Sequence, residues 1–232
     1  MKKILPLLLI ALSLFADANK LTLGAGLYSQ TQPYKDSDAL NLPTPIIFYD
    51  NSIIYARWTR FGLYFMGNKS DDFSWGASLT LMPRANCYES KNDTMEDKKS
   101  TWEGGLALGI SKEKFYAELL VLHDILQIHN SYIGQVEVGY EYKLFKATLY
   151  PSLSLLYQPK EFIEYYYEPN NPKAGVNIAL QTYISYPLSK KTALFCNIKA
   201  EKLSKVITDA PIVEDNFIYS SLISLIYTFD LN

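Results

Sequence analysis

The chain's two histidines lie in one short stretch with an aspartate, as His123, Asp124 and His129. Imidazole and carboxylate groups this close could bind a metal ion or transfer protons, but either chemistry needs a third converging group and a pocket. A polar loop at the rim of a larger structure is the alternative, and we favour it. No G-x-S-x-G sequence marks a serine nucleophile. We therefore predict no catalytic residue, no metal site, no cofactor and no enzymatic activity.

The two cysteines, Cys87 and Cys196, are far apart in sequence. They could form a disulfide in an oxidising compartment, but nothing in their spacing demands one. We expect two unrelated thiols, one in a loop and one in a strand.

A larger set of charged residues recurs among small polar ones, on or near one face of successive strand-like segments. They are Glu103, Glu118, Glu137, Glu141, Lys146, Lys199 and Glu201. On the inner face of a barrel they would either pair and fill the lumen or line a charged channel. A barrel of about twelve strands is intermediate between filled and open. We expect a filled or narrow lumen, with a small channel for polar solutes as the alternative.

The element that would position such a face is clearest at the end of the chain. From Phe217 to Leu231 the odd positions are almost wholly apolar or aromatic, while the even positions include Ser220, Ser224 and Asp230. This period of two predicts a long strand with one apolar and one mixed face. A strand that crosses a bilayer needs about 9–11 residues and carries aromatic residues at both interfaces. We predict that this strand closes an outer-membrane barrel by pairing with the strand at Leu21.

The same alternation recurs along the chain, with tight turns and long polar loops in turn. This predicts an all-β fold, a closed antiparallel up-and-down transmembrane β-barrel. A soluble barrel with the same apolar face inside is the alternative, and the strand length, the loop asymmetry and an N-terminal signal peptide favour the membrane. Both termini of such a barrel normally face the periplasm, which requires an even number of strands. Taking 52–66 as one strand gives eleven, so we predict two short strands there, bent at Trp58-Thr59-Arg60, and about twelve strands in all. Ten is the alternative, if that hairpin is irregular.

The N-terminus predicts export. Lys2 and Lys3 precede an apolar run from Ile4 to Phe15, and Ala16-Asp17-Ala18 offers small residues at the cleavage positions. This is typical of a signal peptide over residues 1–18, which leaves a barrel domain over 19–232. After Ala18 no apolar run is long enough for a membrane-spanning helix. The net charge is near −2, without the basic asymmetry of a nucleic-acid-binding protein.

Several loop motifs occur in an order that is similar to one family. They are LGAG (Leu23–Gly26), QPYKDSD (Gln32–Asp38), LPTP (Leu42–Pro45), DKKST (Asp97–Thr101), EYYYEPN (Glu164–Asn170) and DAPIVED (Asp209–Asp215). With them the chain resembles the MipA/OmpV family, named for the MltA-interacting protein, from its first strand to its last. One departure is that Glu168 and Pro169 follow the tyrosine run, where the family commonly has a turn with glycine.

The resemblance implies a protein of the Gram-negative outer membrane, in contact with its lipid. It also implies a scaffold for peptidoglycan-remodelling enzymes, a murein hydrolase or synthase, or a surface-interaction protein. Exposed aromatic and acidic loops could supply the interaction surface. The candidates are Pro33, Tyr34, Lys35, Asp36, Tyr165, Tyr166, Tyr167, Asp209, Pro211, Glu214 and Asp215. The alternative for the tyrosines is an interfacial girdle.

Overall fold

The computed structural model describes residues 20–68, 70, 73–84 and 98–231. Their strands form one closed antiparallel sheet, in which each strand pairs with the next along the chain and the last strand pairs with the first. The closing strand, Phe217–Asp230, aligns Tyr227 with Leu23 and Phe229 with Leu21 of the first strand. The predicted barrel and its predicted closure are therefore confirmed.

The described residues form thirteen strand segments of the barrel wall. They are β1 (Lys20–Gln30), β2 (Leu40–Asp50), β3 (Ile54–Arg57), β4 (Arg60–Asn68), β5 (Ser74–Arg84), β6 (Thr101–Lys112), β7 (Phe115–Asp124), β8 (Tyr132–Tyr140), β9 (Tyr142–Leu144), β10 (Ala147–Gln158), β11 (Gly175–Pro187), β12 (Thr192–Lys202) and β13 (Phe217–Asp230). The segments β8 and β9 both pair with β10 in one register, with only Glu141 between them. They count as one strand of the wall, so the barrel has the twelve strands that parity predicts.

The period of two sorts the side chains as expected. The outward apolar residues of β13 are exposed, including Tyr219, Ile223 and Leu225. Leu222 and Ile226, at alternate positions of the same strand, are buried inside the barrel. Leucine, valine and aromatic side chains are exposed in the same way on the other long strands. In a soluble protein such a surface would associate, whereas lipid covers it in a membrane barrel.

The hairpin β3–β4 is shorter than its neighbours. Its turn, at Trp58 and Thr59, confirms the predicted bend, and Trp58 has a φ of 55°, which is uncommon for a bulky residue. The backbone N–H of Trp58 donates to the Ile47 carbonyl at 2.8 Å. From Ile46 back to Leu40, no described strand pairs with this edge of β2. The barrel wall is therefore interrupted beside the turn.

Prolines protect this edge. Residues two apart in a strand direct their backbone groups to the same side, so Pro43 and Pro45 face the same edge as Ile47. Proline has no N–H to offer a passing strand, and native sheets use it to block edge-to-edge pairing. The LPTP motif thus has a structural role at this edge.

Two helices lie in the long connections, where the sequence predicted only loops. Helix α1 (Lys160–Tyr167) follows β10, and the short helix α2 (Lys205–Thr208) follows β12. Helix α1 carries Glu161 in its first turn, where the helix dipole favours an acid. It ends at Glu168, which adopts the left-handed conformation with a φ of 47°, before Pro169.

The two ends of the barrel differ. The start of β1 at Lys20, the end of β13 at Asp230 and the turns at 51–53, 113–114, 145–146 and 188–191 lie at one end of the barrel, which we name the turn end. The connections at 31–39, 125–131, 159–174 and 203–216 lie at the other, the loop end. Among the described residues, neither helix has the length and apolar character required to cross a bilayer.

Candidate functional site

The three predicted interaction loops meet at the loop end. Tyr34 forms a bridge with Val213, and the backbone N–H groups of Glu214 and Asp215 donate to the Pro33 carbonyl at 2.8 and 3.2 Å. The Tyr34 ring stacks on Tyr167 of α1, with centroids 5.9 Å apart. Three distant stretches of sequence thus form one unit, which we name the plug and define as residues 33–36, α1 and 203–215.

The plug fills the loop end of the lumen. Its buried residues form one apolar cluster with side chains of the barrel wall. The members are Tyr34, Ala107, Leu120, Leu122, Ile133, Phe162, Ile163, Tyr166, Tyr167, Leu203, Ile207, Ala210 and Val213. Burial raises the pKa of the Tyr166 and Tyr167 phenols above the usual value, so both stay neutral in the folded protein. This packing supports a filled rather than an open lumen at this end.

The candidate residues therefore divide into two groups. Pro33, Tyr34, Tyr166 and Tyr167 are buried in the plug, and Tyr165 is half-buried. The exposed candidates lie on the outer surface of the plug, where they form a rim; they are Lys35, Asp36, Asp209, Pro211, Glu214 and Asp215. Of the candidate residues, these largely acidic ones are the part exposed at the loop end.

The histidine stretch does not converge as a unit. The His123 ring packs against Tyr132, whereas His129 is buried inside the barrel. His129 Nδ1 lies 2.7 Å from Ser131 Oγ, and its Nε2 lies 3.5 Å from Glu103 Oε1. A serine, a histidine and a carboxylate in contact resemble a catalytic triad in composition. All three are buried, and Phe162 of the plug packs on the His129 ring at 4.9 Å.

Other charges around His129 fix the loops to the wall. Asp124 accepts the backbone N–H groups of His129 at 2.6 Å and Asn130 at 3.0 Å, and it also accepts the Thr101 hydroxyl. Arg84 pairs with Glu103 at 2.5 Å, and its guanidinium lies over the Phe162 ring. This network holds the connection after β7 and the plug in place. No group of metal-binding residues occurs among the described residues.

A second buried network lies beside the β2–β3 turn. Arg57 donates to Asp50 Oδ2 at 2.8 Å and also contacts the Tyr64 hydroxyl, which itself donates to Asp50 at 2.9 Å. Arg57 and Asp50 are fully buried, and the guanidinium lies 4.4 Å from the Tyr55 ring centroid. The network fastens the short hairpin β3–β4 to β2.

Between these networks lies a cavity of about 190 Å³ within the lumen. Arg60 crosses it to form a bidentate ion pair with Glu118, at 2.7 and 2.8 Å. Glu137 lies beside this pair, and Lys199 on the facing wall pairs with Glu201 at 2.7 Å. The predicted mixed face is thus largely an inward, ion-paired face. Lys146 is an exception, because it is exposed in the turn between β9 and β10.

Sequence reasoning missed α1, although a signal for it was present. Phe162, Ile163, Tyr166 and Tyr167 are spaced as one face of a helix, and Glu161 and Glu164 lie opposite them. It also missed Arg57, Trp58 and Arg60 as a group, because strand alternation does not predict that two arginines flanking a turn point inward. Cys196 has a free thiol in β12, and Cys87 lies outside the described residues.

A closed antiparallel barrel with an exposed apolar belt and a polar, ion-paired lumen defines an integral β-barrel protein of the outer membrane. The model of the family described as MltA-interacting protein MipA matches residues 23–229. The chain belongs to this family, which confirms the resemblance seen in its loop motifs, and its location is the outer membrane.

Relatives are similar over most of their length. The outer membrane protein YiaT of Escherichia coli (strain K12) is 24% identical over 216 residues, which is 87% of each chain. The MltA-interacting protein of the same strain is 24% identical over 226 residues, which is 90% of each chain.

Solved barrels are more distant. The translocator domain of the autotransporter NalP from Neisseria meningitidis has a TM-score of 0.46 and 11% identity, over 95% of this chain and 93% of that one. OmpT, an outer membrane protein of Vibrio cholerae, has a TM-score of 0.42 and 11% identity, over 93% and 99%.

Proposed function

We propose that this protein is a non-enzymatic docking barrel that holds a peptidoglycan-remodelling enzyme, a murein hydrolase or synthase, at the outer membrane. The observation that carries the proposal is the plug. Helix α1 and residues 203–215 occupy the loop end of the lumen, so the barrel is built as an anchor rather than as a wide conduit. The name of the relative MltA-interacting protein points to the kind of partner.

The same proposal includes that the protein has no catalytic activity. Ser131, His129 and Glu103 are the described residues most similar to a catalytic group, and they lie beneath the plug. A substrate would have to displace Phe162 and Tyr166 to reach the serine. We therefore assign this group to the stability of the loop end.

The partner surface follows from the orientation of the barrel. Outer-membrane barrels place short turns in the periplasm and long loops outside, so a murein enzyme would meet the turn end. The turn between β9 and β10 is a suitable contact there, because Phe145 at its tip is 99% exposed between Lys143 and Lys146. An exposed aromatic side chain flanked by charges is a common anchor at interfaces. The acidic rim at the loop end would face the cell exterior.

A pull-down with the full-length barrel in detergent micelles tests this proposal. Purified murein hydrolases and synthases are passed over immobilised wild-type protein and two variants that reverse charge at opposite ends. Lys143→Glu with Lys146→Glu alters the turn end, and Glu214→Lys with Asp215→Lys alters the rim. We expect the wild-type barrel to capture at least one enzyme. The turn-end variant should bind that enzyme at least tenfold more weakly, and the rim variant should bind it as the wild type does. The absence of capture by folded wild-type barrel would contradict the docking function, and equal loss in both variants would contradict the assigned surface.

A further inference from the structure

The cavity in the lumen lies against the interruption in the barrel wall. It is lined on that side by Trp58 and Thr59 of the short hairpin and by Met82 of β5. The Trp58 indole donates to Thr44 on the unpaired edge of β2, at 3.4 Å. The cavity volume of about 190 Å³ is below the range typical of drug-sized ligands, and is equivalent to about six water molecules.

The walls of the cavity carry both donors and acceptors on planar groups. Glu118 and Arg60 form a rigid bidentate pair on one side. One Glu137 oxygen accepts the Tyr116 hydroxyl at 3.2 Å. The other accepts the Ser154 hydroxyl at 3.0 Å and the Gln135 amide at 3.3 Å. A carboxylate has about four lone-pair positions, so Glu137 retains capacity to accept from a ligand. Among the described residues it has no ion-pair partner.

The lining also includes a hydrogen-bond donor, the Arg57 Nε–H, that is left unpaired by the described residues. Arg57 lines the cavity and is 2% exposed, and its Nε–H has no hydrogen-bond partner among the described residues. An unpaired buried donor is unfavourable by about 1–3 kcal/mol. It therefore points to an acceptor supplied from the cavity.

Aromatic faces complete the lining. Trp58, Tyr116 and Tyr183 border the same space as the amides of Gln135 and Gln181. Aromatic rings offer flat apolar faces, and the amides supply one donor and one acceptor group each. This combination suits a compact ring that carries hydroxyl groups at its edge and C–H groups on its faces.

We infer that the lumen cavity is a binding site for a small neutral polyhydroxylated molecule, of the size of a single hexose. Its hydroxyl groups donate to Glu137 and accept from Arg57, and a ring face packs on the Trp58 indole. Arg60 and Lys199 are already paired with Glu118 and Glu201, so the lining does not favour an anion. A hydroxyl group both donates and accepts, as Glu137 and the Arg57 Nε–H require, which a simple cation cannot do. The site is independent of the docking role proposed for the turn end.

The test measures Trp58 fluorescence in the full-length barrel with Trp75 and Trp102 replaced by phenylalanine. These are the only other tryptophans of the chain. The protein is folded in a detergent without a sugar head group and titrated with glucose, galactose and mannitol, and with hexylamine as a cationic probe of similar size. We expect a saturable change at millimolar concentration with at least one of the three polyols. Glu137→Gln should weaken that binding about tenfold or more, since it replaces one carboxyl oxygen with an NH2 group that cannot accept a hydrogen bond.

The matched control is Glu164→Gln, which alters an exposed carboxylate on α1 outside the cavity and should leave the affinity unchanged. Folding of each variant is checked by its heat-dependent mobility in gels. If Glu137→Gln does not fold, Gln181→Leu on another wall of the cavity takes its place, with the same expected loss. Absence of saturation with every polyol, equal affinity in the cavity and control variants, or saturation with hexylamine alone would overturn the inference.

Discussion

At the scale of residues, this barrel is held by ion pairs and close contacts inside its lumen. Buried charges are tolerated only when they are paired and hydrogen-bonded. Asp50 meets this condition, because it accepts from Arg57, from the Tyr64 hydroxyl and from the backbone N–H of Ser52 at 3.0 Å. Close packing adds a second condition, since two inward aromatic rings, Tyr55 and Tyr116, rest directly on glycines.

Replacement of Asp50 by alanine should destabilise the barrel strongly. It leaves the buried Arg57 guanidinium without its counter-charge, which costs about 3–5 kcal/mol in comparable buried pairs. Urea unfolding in detergent micelles, followed by tryptophan fluorescence, measures the change in the free energy of unfolding. The control is Asp209→Ala, which breaks the exposed ion pair with Lys205 and should change the free energy by about 1 kcal/mol or less. Similar decreases in the free energy of unfolding in the two variants would show that the buried ion pair stabilises the barrel no more than the exposed one does.

Gly139 and Gly134 of β8 form a matched pair for packing. A Cβ on Gly139 would collide with the ring of Tyr116, whereas a Cβ on Gly134 would lie 3.7 Å from Tyr157, at ordinary contact distance. We expect Gly139→Ala to destabilise the barrel by about 1–3 kcal/mol, because Tyr116 must leave its place beside Glu137. Gly134→Ala should be neutral or slightly stabilising. The same urea titration measures both changes in the free energy of unfolding. Equal changes in the two variants would contradict the close contact between Gly139 and the Tyr116 ring.

At the scale of elements, the short hairpin β3–β4 and the plug distinguish this barrel from a regular cylinder. The hairpin leaves part of β2 without a strand partner among the described residues, and the LPTP motif occupies that part. The EYYYEPN motif forms the end of α1 and its cap, with Glu168 rather than glycine in the left-handed position. These two family motifs therefore have structural roles, one at the edge of β2 and the other at the end of α1.

Replacement of both Pro43 and Pro45 by valine should promote association of barrels. The substitution restores two N–H groups on the unpaired edge of β2 and raises its strand propensity. Light scattering coupled to size-exclusion chromatography in detergent should show a larger fraction of dimers or higher oligomers than the wild type. Pro211→Val, at an exposed position of the rim, is the control and should not change the distribution. An unchanged distribution in the double variant would argue against a protective role of the prolines.

At the scale of the whole molecule, the barrel is closed around its circumference and filled along much of its axis. The plug occupies the loop end. A second apolar cluster, which includes Phe48, Phe195 and Leu222, lies inside the wall formed by β2, β12 and β13. The cavity lies between other walls, where Arg60 pairs with Glu118 across the lumen and Lys199 pairs with Glu201 along β12. These features favour an anchor over the alternative of a small channel for polar solutes.

Planar-bilayer recording tests this difference directly. We expect wild-type barrel to show no stable single-channel steps, because the plug blocks the loop end. Phe162→Ala combined with Tyr166→Ala should loosen the plug and introduce brief, irregular openings. Lys35→Ala, on the exposed rim, is the control and should resemble the wild type. Regular steps from the wild-type protein would favour the channel.

The sequence by itself determined the class of fold, because alternation of side chains across a strand is a local property. It predicted the outward face of β13, its pairing with β1 and the division of 52–66 into two strands. Parity of the strands then gave twelve, and the order of the loop motifs gave the family. The prediction of a signal peptide over 1–18 stays a prediction, since those residues lie outside the described part of the chain.

Only the tertiary structure decided what the loops and the inward charges do. Closure of the barrel brings Pro33, Tyr167 and Val213 together, although they are distant in sequence, and turns predicted interaction residues into the core of a plug. Strand register decides that Arg60 reaches Glu118 and that Glu137 remains without a cationic partner among the described residues. Such contacts depend on the shear of the whole sheet, which no local pattern encodes.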